Sequence, residues 1–211
     1  WQVVGWMGAL AGFMILSFYA VIAGWVLSYV LQLGAGTYNG ADAEFASNAF
    51  SDFIGDAWSV VGWYTVFMAL TIFITARGVG RGLEVAVKYL MPTLFVLLIV
   101  LVIYAAVTSG HFMEGVAFMF SVDFEKLTWN SVLIAMGQAF FTLSLGMGAI
   151  MAYGAYMPKD ISIVGTATTV ALMDTAVALM SGLIIFPLVF ANGLESSDGP
   201  GLMFITLPLA F

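Results

Sequence analysis

Five long apolar runs dominate this chain and restrict what it can fold into. Each is close to 20 residues or longer, which is the length that a helix needs to cross a hydrocarbon core roughly 30 Å thick. The runs cover residues 6–31, 58–75, 85–107, 132–157 and 163–190. Only 8% of the residues are charged, against about 25% in a soluble domain. The alternating segments of a membrane β-barrel are absent, so we predict an all-α, polytopic membrane protein with five transmembrane helices.

The fourth run contains a segment that is poorly suited to a continuous helix. Residues 138–148 read Gln-Ala-Phe-Phe-Thr-Leu-Ser-Leu-Gly-Met-Gly, with two glycines and two hydroxyl residues midway along the run. An unwound backbone at membrane depth has no lipid partner for its N–H and C=O groups, so it survives only where it lines a cavity or binds something. Transporters hold substrates and ions at broken helices of this kind. We therefore predict a break near residues 142–148 and a binding site beside it.

The basic residues predict the orientation of the helices. Four of the five lie on one side of the predicted topology, namely Arg77, Arg81, Lys88 and Lys159. By the positive-inside rule this side is cytoplasmic, and the acidic loop 34–56 is then outside. Lys126 is the exception. We expect a multi-pass protein of the cell inner (plasma) membrane whose first run starts in the cytoplasm.

Asp174 is the second informative residue. Of the 12 Asp and Glu residues, it alone lies deep inside an apolar run, roughly 18 Å along a helix from the start of the fifth run. A charged Asp there costs about 2.5–3.5 kcal/mol on insertion scales, so it should face the protein interior and be compensated. Thr142 lies at the break at the same depth, and Gln138 lies one turn earlier on the same face. These oxygen ligands suit an alkali ion, whereas a protonated Asp bonded to a neighbouring helix is the structural alternative.

Other residues carry weaker signals. Tyr19 needs a hydrogen-bond partner at mid-membrane depth, and Ile15 lies one turn before it. Gly82 and Pro92 have nine residues between them, and Pro92 removes one helical hydrogen bond, which gives either an ordinary kink or a gating hinge. His111 is solitary, and neither a nucleophilic triad nor a phosphate loop occurs. The sequence therefore predicts no enzyme and no cofactor.

Two segments are predicted to lie outside the bilayer. Residues 34–56 should contain a short helix around residues 41–50. Residues 192–211 have a Gly-Pro-Gly turn followed by ten apolar residues interrupted by Pro208, which are too few to span. They should form a hairpin on the outer mouth of the protein. The abrupt first and last residues also suggest a fragment of a longer protein.

Four segments resemble the neurotransmitter:sodium symporter family, and its bacterial amino-acid transporters in particular. Residues 140–148 are similar to the unwound sixth helix of that family, and residues 16–25 to its third helix. Residues 123–127 are similar to the loop before the sixth helix, and residues 204–208 to the fourth outer loop. The resemblance implies the inverted-repeat, broken-helix (leucine-transporter-like) fold. The chain, residues 1–211, would then be one partial transmembrane domain with helices three to seven.

The resemblance also implies a substrate site. Tyr19 would hydrogen-bond the carboxylate of an amino-acid substrate, and Ile15 would form a wall of the pocket. Phe141 would be the lid, and the freed carbonyls of Phe141, Thr142 and Ser144 would receive the substrate ammonium group.

Ion binding and gating follow from the same resemblance. Thr142 would ligate the first sodium ion, which is the coupling ion, with Asp174 at a position where the family often has an Asn ligand and with Gln138 in support. Gly82 and Pro92 match the glycine-nine-proline motif of the family, whose loosening opens the cytoplasmic path.

Two departures from the family pattern refine the expected function. Met147 replaces a pocket Phe and should admit larger or varied apolar side chains. Asp174 is a fixed negative charge, and Ala178 replaces an acid found in some members, so chloride should be unnecessary. We expect sodium-coupled symport of a hydrophobic or aromatic amino acid across the lipid bilayer, with no nucleic-acid partner. A proton-coupled carrier with Asp174 as the proton site, and a non-transporting channel or scaffold, remain alternatives.

Overall fold

The computed structural model describes residues 2–121, 124–125, 127–158, 160–193 and 199–210. These residues form nine α-helices and two one-turn π segments, and they contain no strand. The helices are α1 (Gln2–Gly34), α2 (Ala43–Gly55), α3 (Ala57–Thr75), α4 (Glu84–Thr108), α5 (Phe112–Phe120), α6 (Trp129–Thr142), α7 (Ala149–Tyr156), α8 (Ile163–Ala191) and α9 (Leu207–Ala210). The π segments, Val79–Leu83 and Leu202–Thr206, lead directly into α4 and α9. The predicted all-α class is confirmed.

Within the described residues, four helices are long and apolar enough to cross a membrane: α1, α3, α8 and the continuous helix Val79–Thr108. The remaining predicted span, residues 132–157, is divided between α6 and α7. Neither half has the length to cross a bilayer alone. The chain leaves helical geometry between them, at residues 143–148.

The chain divides into two compact units. The first consists of Trp1–Phe18 and Phe120–Leu179, and the second consists of Tyr19–Met119 and Met180–Phe211. Both halves of the interrupted helix and Asp174 belong to the first unit.

An aromatic cluster forms the core of the second unit. Phe204, from the π segment Leu202–Thr206, is only 2% exposed and contacts the side chains of two helices. Its ring makes edge contacts with Trp25 and Tyr29 of α1, at centroid distances of 5.6 and 5.0 Å. It also stacks on Phe50 of α2 at 5.4 Å. The described part of the predicted outer hairpin is therefore attached to α1 and α2 by apolar burial and aromatic contacts.

Acidic caps explain where α2 and α3 begin. The Asp42 carboxylate accepts a hydrogen bond from the Phe45 amide at 2.8 Å, so α2 starts at Ala43, two residues after the predicted start. Asp56 caps α3 in the same way, and hydrogen bonds from the Ser59 hydroxyl and the Trp58 amide hold the pKa of this carboxyl below its usual value. Asp56 is the single residue between the last residue of α2 and the first residue of α3.

Three features used above fall on residues that are not described. They are Lys126, Lys159 and, in the predicted outer hairpin, residues 194–198 together with Phe211, which count as one feature. The loop motif 123–127 is described only at 124, 125 and 127. The predicted membrane orientation remains a prediction.

Candidate functional site

The interruption between α6 and α7 has an unusual backbone. Ser144, Gly146 and Gly148 all have positive φ, at 54°, 77° and 79°. Ser144 is the only non-glycine residue with positive φ in the described part of the chain, and such a conformation costs of order 1–3 kcal/mol. The surrounding structure must therefore hold Ser144 in this conformation. The positive φ values of Ser144 and the two glycines give the break its shape.

Thr142 and Asp174 meet at this break. The Thr142 hydroxyl, on the last residue of α6, donates a hydrogen bond to the Asp174 carboxylate of α8 across 32 positions of sequence. Asp174 is the twelfth residue of the 29-residue α8 and is half-buried. The structure thus brings together the two residues that were predicted to share a cation. Gln138 lies one turn before Thr142 on α6 and is exposed.

Main-chain carbonyls add to the oxygen atoms at this point. Among the described residues, no backbone N–H donates to the carbonyl of Thr142 or of Ser144. The Phe141 carbonyl accepts from the Ser144 amide at 3.1 Å, and the Phe140 carbonyl accepts from the Leu145 amide at 2.8 Å. The Leu143 amide also donates to the Phe141 carbonyl, so the carbonyls of Thr142 and Ser144 are the candidate main-chain ligands at the break.

The chemistry of these donors fits a hard monovalent cation. One carboxylate, one hydroxyl and nearby carbonyls are all oxygen ligands, which suit alkali and alkaline-earth ions. No group of three or more His, Cys, Asp or Glu side chains that could hold a metal ion occurs in the described ranges. The candidate site therefore combines a single negative charge with neutral oxygen atoms.

The start of α7 is in backbone contact with α1. A Cβ atom added to Gly148 would lie 2.8 Å from the Cα atom of Gly8, and one added to Gly8 would lie 3.1 Å from the Cα atom of Gly148. Sequence reasoning missed Gly8. The signal was present, because Gly5, Gly8 and Gly12 are spaced three and four residues apart on one helix face, which is a pattern that permits close helix packing.

Met147 lines a cavity beside this contact. The cavity has a volume of about 530 Å³, and Gly5, Gly8, Gly12 and Met151 also line it. Its α1 wall ends at Gly12, and Ile15 is not part of it. Met147 is thus half-buried against a surface of small residues, where a long flexible side chain has space to change rotamer.

The other predicted substrate residues lie on α1, on α6 and in the interruption. Ile15 is half-buried in the first unit, and Tyr19 follows one turn later on α1, in the second unit. Phe141 is half-exposed, at 49%, and immediately precedes Thr142. Ser144 lies within the interruption and is half-buried.

Gly82 and Pro92 lie at the start of the helix that follows α3. Gly82 is buried in the π segment Val79–Leu83, and a Cβ there would overlap the carbonyl oxygen of Ile74 and lie 3.0 Å from the Arg77 Cβ atom. Pro92 lies inside α4, which continues from Glu84 to Thr108 without a break. The irregular backbone in this region is therefore at the glycine, while the helix runs on through the proline.

Comparison with known proteins identifies the family. The sequence profile of the sodium:neurotransmitter symporter family matches residues 38–211. This chain belongs to that family. The predicted resemblance is thereby confirmed.

Individual members of the symporter family match over the whole chain. An uncharacterised sodium-dependent transporter from Bacillus subtilis, YhdH, is 41% identical over all 211 residues, and one from Haemophilus influenzae is 37% identical. The chain spans about half the length of these relatives, 47% of each. They are transporters, in agreement with the prediction that the chain is not an enzyme.

A solved structure of the family shares the fold. The crystal structure of MhsT in complex with L-phenylalanine is 50% identical to this chain and superposes with a TM-score of 0.87. It covers 100% of the chain, which covers 48% of MhsT. The predicted broken-helix fold is confirmed as part of a larger symporter fold.

Proposed function

We propose that this protein is a sodium-coupled symporter of hydrophobic or aromatic amino acids that works by alternating access in the cell inner membrane. The observation that carries the proposal is the hydrogen bond between Thr142 and Asp174 beside the interrupted helix. A sodium ion bound there would neutralise the carboxylate, and the oxygen atoms would replace its hydration shell. Thr142 takes part in both sodium binding and substrate binding in this proposal. Binding of the ion should therefore favour the conformation of the break that also binds the substrate.

The proposed substrate site combines residues of the break with two residues of α1 that the family resemblance implicates. Phe141, Thr142 and Ser144 present carbonyl oxygens to the ammonium group of an amino acid, while Ile15 and Tyr19 of α1 supply an apolar wall and a hydroxyl group. The family membership and the similarity to MhsT, whose crystal structure contains L-phenylalanine, support this substrate class. Phe141 closes the site, and loosening of the chain at Gly82 and Pro92 opens it to the cytoplasm.

Chloride is not needed in this scheme. Bound sodium adds a positive charge near the membrane midplane, where an uncompensated charge is expensive. Asp174 provides the compensating negative charge as part of the protein. Uptake should therefore be unchanged when gluconate replaces chloride.

Reconstitution of the full-length protein in proteoliposomes tests the coupling. We expect uptake of radiolabelled L-phenylalanine to require an inward sodium gradient and to persist when a protonophore collapses the proton gradient. Stimulation of labelled sodium uptake by L-phenylalanine would show that the two fluxes are coupled. Uptake driven by a proton gradient without sodium would instead identify a proton-coupled carrier, and the absence of any uptake would favour a channel or scaffold.

Met147→Phe should narrow the range of substrates. A phenyl ring at this position is rigid and leaves less space for a large substrate side chain. The resulting overpacking costs about 1–3 kcal/mol, so binding of L-phenylalanine and L-tryptophan should weaken by about tenfold or more relative to L-leucine. Competition against labelled L-leucine in the full-length protein measures this ratio.

Met136→Phe is the matched control. Met136 lies on α6 with 51% of its surface exposed, so the same substitution there should leave the ratio unchanged. An equal loss for L-leucine and L-phenylalanine in Met147→Phe would show that Met147 does not set substrate size.

A further inference from the structure

The junction between α3 and α4 concentrates positive charge in an acidic protein. Residues 76–89 hold three of the five basic residues, Arg77, Arg81 and Lys88, and one acidic residue, Glu84. The whole chain has a net charge of −7. We propose that this junction is a binding site for the phosphate headgroup of an anionic membrane phospholipid.

The junction lies where a lipid headgroup would be. Two candidate membrane spans, Ala57–Thr75 and Val79–Thr108, end and begin here, so Arg77 and Arg81 follow the end of one hydrocarbon segment and start the next. Lys88 is four residues beyond Glu84, or roughly 6 Å deeper along the helix, and its long side chain can extend back to the interface. Tyr89, which is 68% exposed, is typical of the aromatic residues found at that level.

Local structure orients the charges before any lipid binds. The Arg77 guanidinium lies over the Phe73 ring, 4.1 Å from its centroid, which restricts the side chain by a cation–π contact. Buried Gly82 holds the π segment directly against the end of α3, because its missing Cβ leaves room for the Ile74 carbonyl and the Arg77 side chain. Preorganised groups lose less entropy on binding a ligand.

The basic groups are available to an external anion. Within the part of the chain that the structure describes, the side chains of the two arginines and of Lys88 make no ion pair or hydrogen bond, and the Arg77 side chain contacts only the Phe73 ring by a cation–π interaction. An arginine presents a planar fork of N–H groups that matches two phosphate oxygens.

The flanking surface favours a lipid over a soluble phosphate. Phe73 is 59% exposed beside Arg77, and Leu90 is 63% exposed next to Tyr89. These apolar groups face the region that acyl chains occupy beneath a headgroup. A free phosphate ion would use only the charges, whereas a phospholipid would use the charges and the apolar rim together.

The test compares lipid binding by the full-length protein and its variants. Native mass spectrometry of the protein titrated with phosphatidylglycerol or phosphatidylcholine gives the affinity for each lipid. The double variant Arg77→Gln/Arg81→Gln should lower phosphatidylglycerol affinity by about 30-fold, at the usual value per basic residue near a charged surface, and should leave phosphatidylcholine binding unchanged. Millimolar inorganic phosphate should not displace the bound lipid.

Two further variants separate the site from a simple topology signal. Arg77→Lys/Arg81→Lys keeps the positive charges that direct membrane insertion, so this variant should fold normally. It removes the planar guanidinium groups and should therefore lose part of the preference for phosphatidylglycerol. Lys126→Gln removes one charge from the other predicted side and should have no effect. Unchanged lipid preference in both double variants, an equal loss in Lys126→Gln, or displacement of the lipid by phosphate would overturn the proposal.

Discussion

Asp174→Asn should lower the sodium affinity of the full-length protein by about 10- to 100-fold in chloride-free medium. The carboxylate is the only formal charge among the candidate ligands, and an interaction with a charged group contributes about 1.5–3 kcal/mol, which corresponds to about 10- to 100-fold in affinity. The neutral amide keeps an oxygen ligand but leaves the charge of sodium unbalanced. Sodium-dependent binding of labelled L-phenylalanine, measured in gluconate medium, gives the affinity.

The dependence on chloride and pH makes this prediction specific. Wild-type uptake should be the same in chloride and gluconate, because the protein carries its own negative charge. Asp52→Asn is the control, since Asp52 is exposed on α2 and its charge is outside the candidate site. Sodium affinity that is the same for Asp174→Asn and wild type at every pH would contradict both the charge-balance role and a proton-carrying role of Asp174.

Gly148→Ala should abolish transport and destabilise the protein more than Gly146→Ala. Both glycines have φ near +80°, and a side chain in that conformation costs roughly 1–2 kcal/mol. At Gly148 the new methyl group would also lie 2.8 Å from the Gly8 Cα atom, whereas at Gly146 nothing lies within 4 Å. The backbone overlap adds about 1–3 kcal/mol, so the Gly148 variant must displace α7 or α1.

The two alanine variants control for each other, because they share the conformational cost and differ in the contact. Thermal unfolding of the purified full-length variants measures stability, and uptake in proteoliposomes measures function. Gly137→Ala, in helical α6 with no atom within 4 Å of the added methyl group, should be neutral or slightly stabilising. Equal losses at Gly146 and Gly148 would show that the contact with Gly8 does not constrain α7.

The break and the residues beside it were predictable from the sequence, whereas the helix packing around them was not. The break was predictable because Ser144, Gly146 and Gly148 lie inside a run that is otherwise apolar, and such residues have a clear physical effect on a helix. The pairing of Thr142 with Asp174 was predictable from depth alone, because both lie near the middle of their spans.

Packing between distant segments was not predictable in the same way. The contact joins Gly148 to Gly8, which are 140 positions apart in the sequence, and the glycine spacing on α1 does not say which segment it meets. Gly82 and Pro92 were paired by spacing, but the chain departs from α-helical geometry only at the glycine. The approach of the Ile74 carbonyl, which is a tertiary feature, distinguishes the two positions.

The contact between Gly8 and Gly148 also has a mechanical consequence. Two backbones in contact without intervening side chains cannot move closer, but they can still rotate relative to each other. We therefore expect α7 to pivot about this contact, at its first turn. The eight residues of α7 extend roughly 12 Å from that point, and a rotation of about 20° there would move the far end by about 4 Å. We therefore expect a small rearrangement of the oxygen atoms at the break to produce a larger displacement at the end of α7 that is predicted to face the cytoplasm.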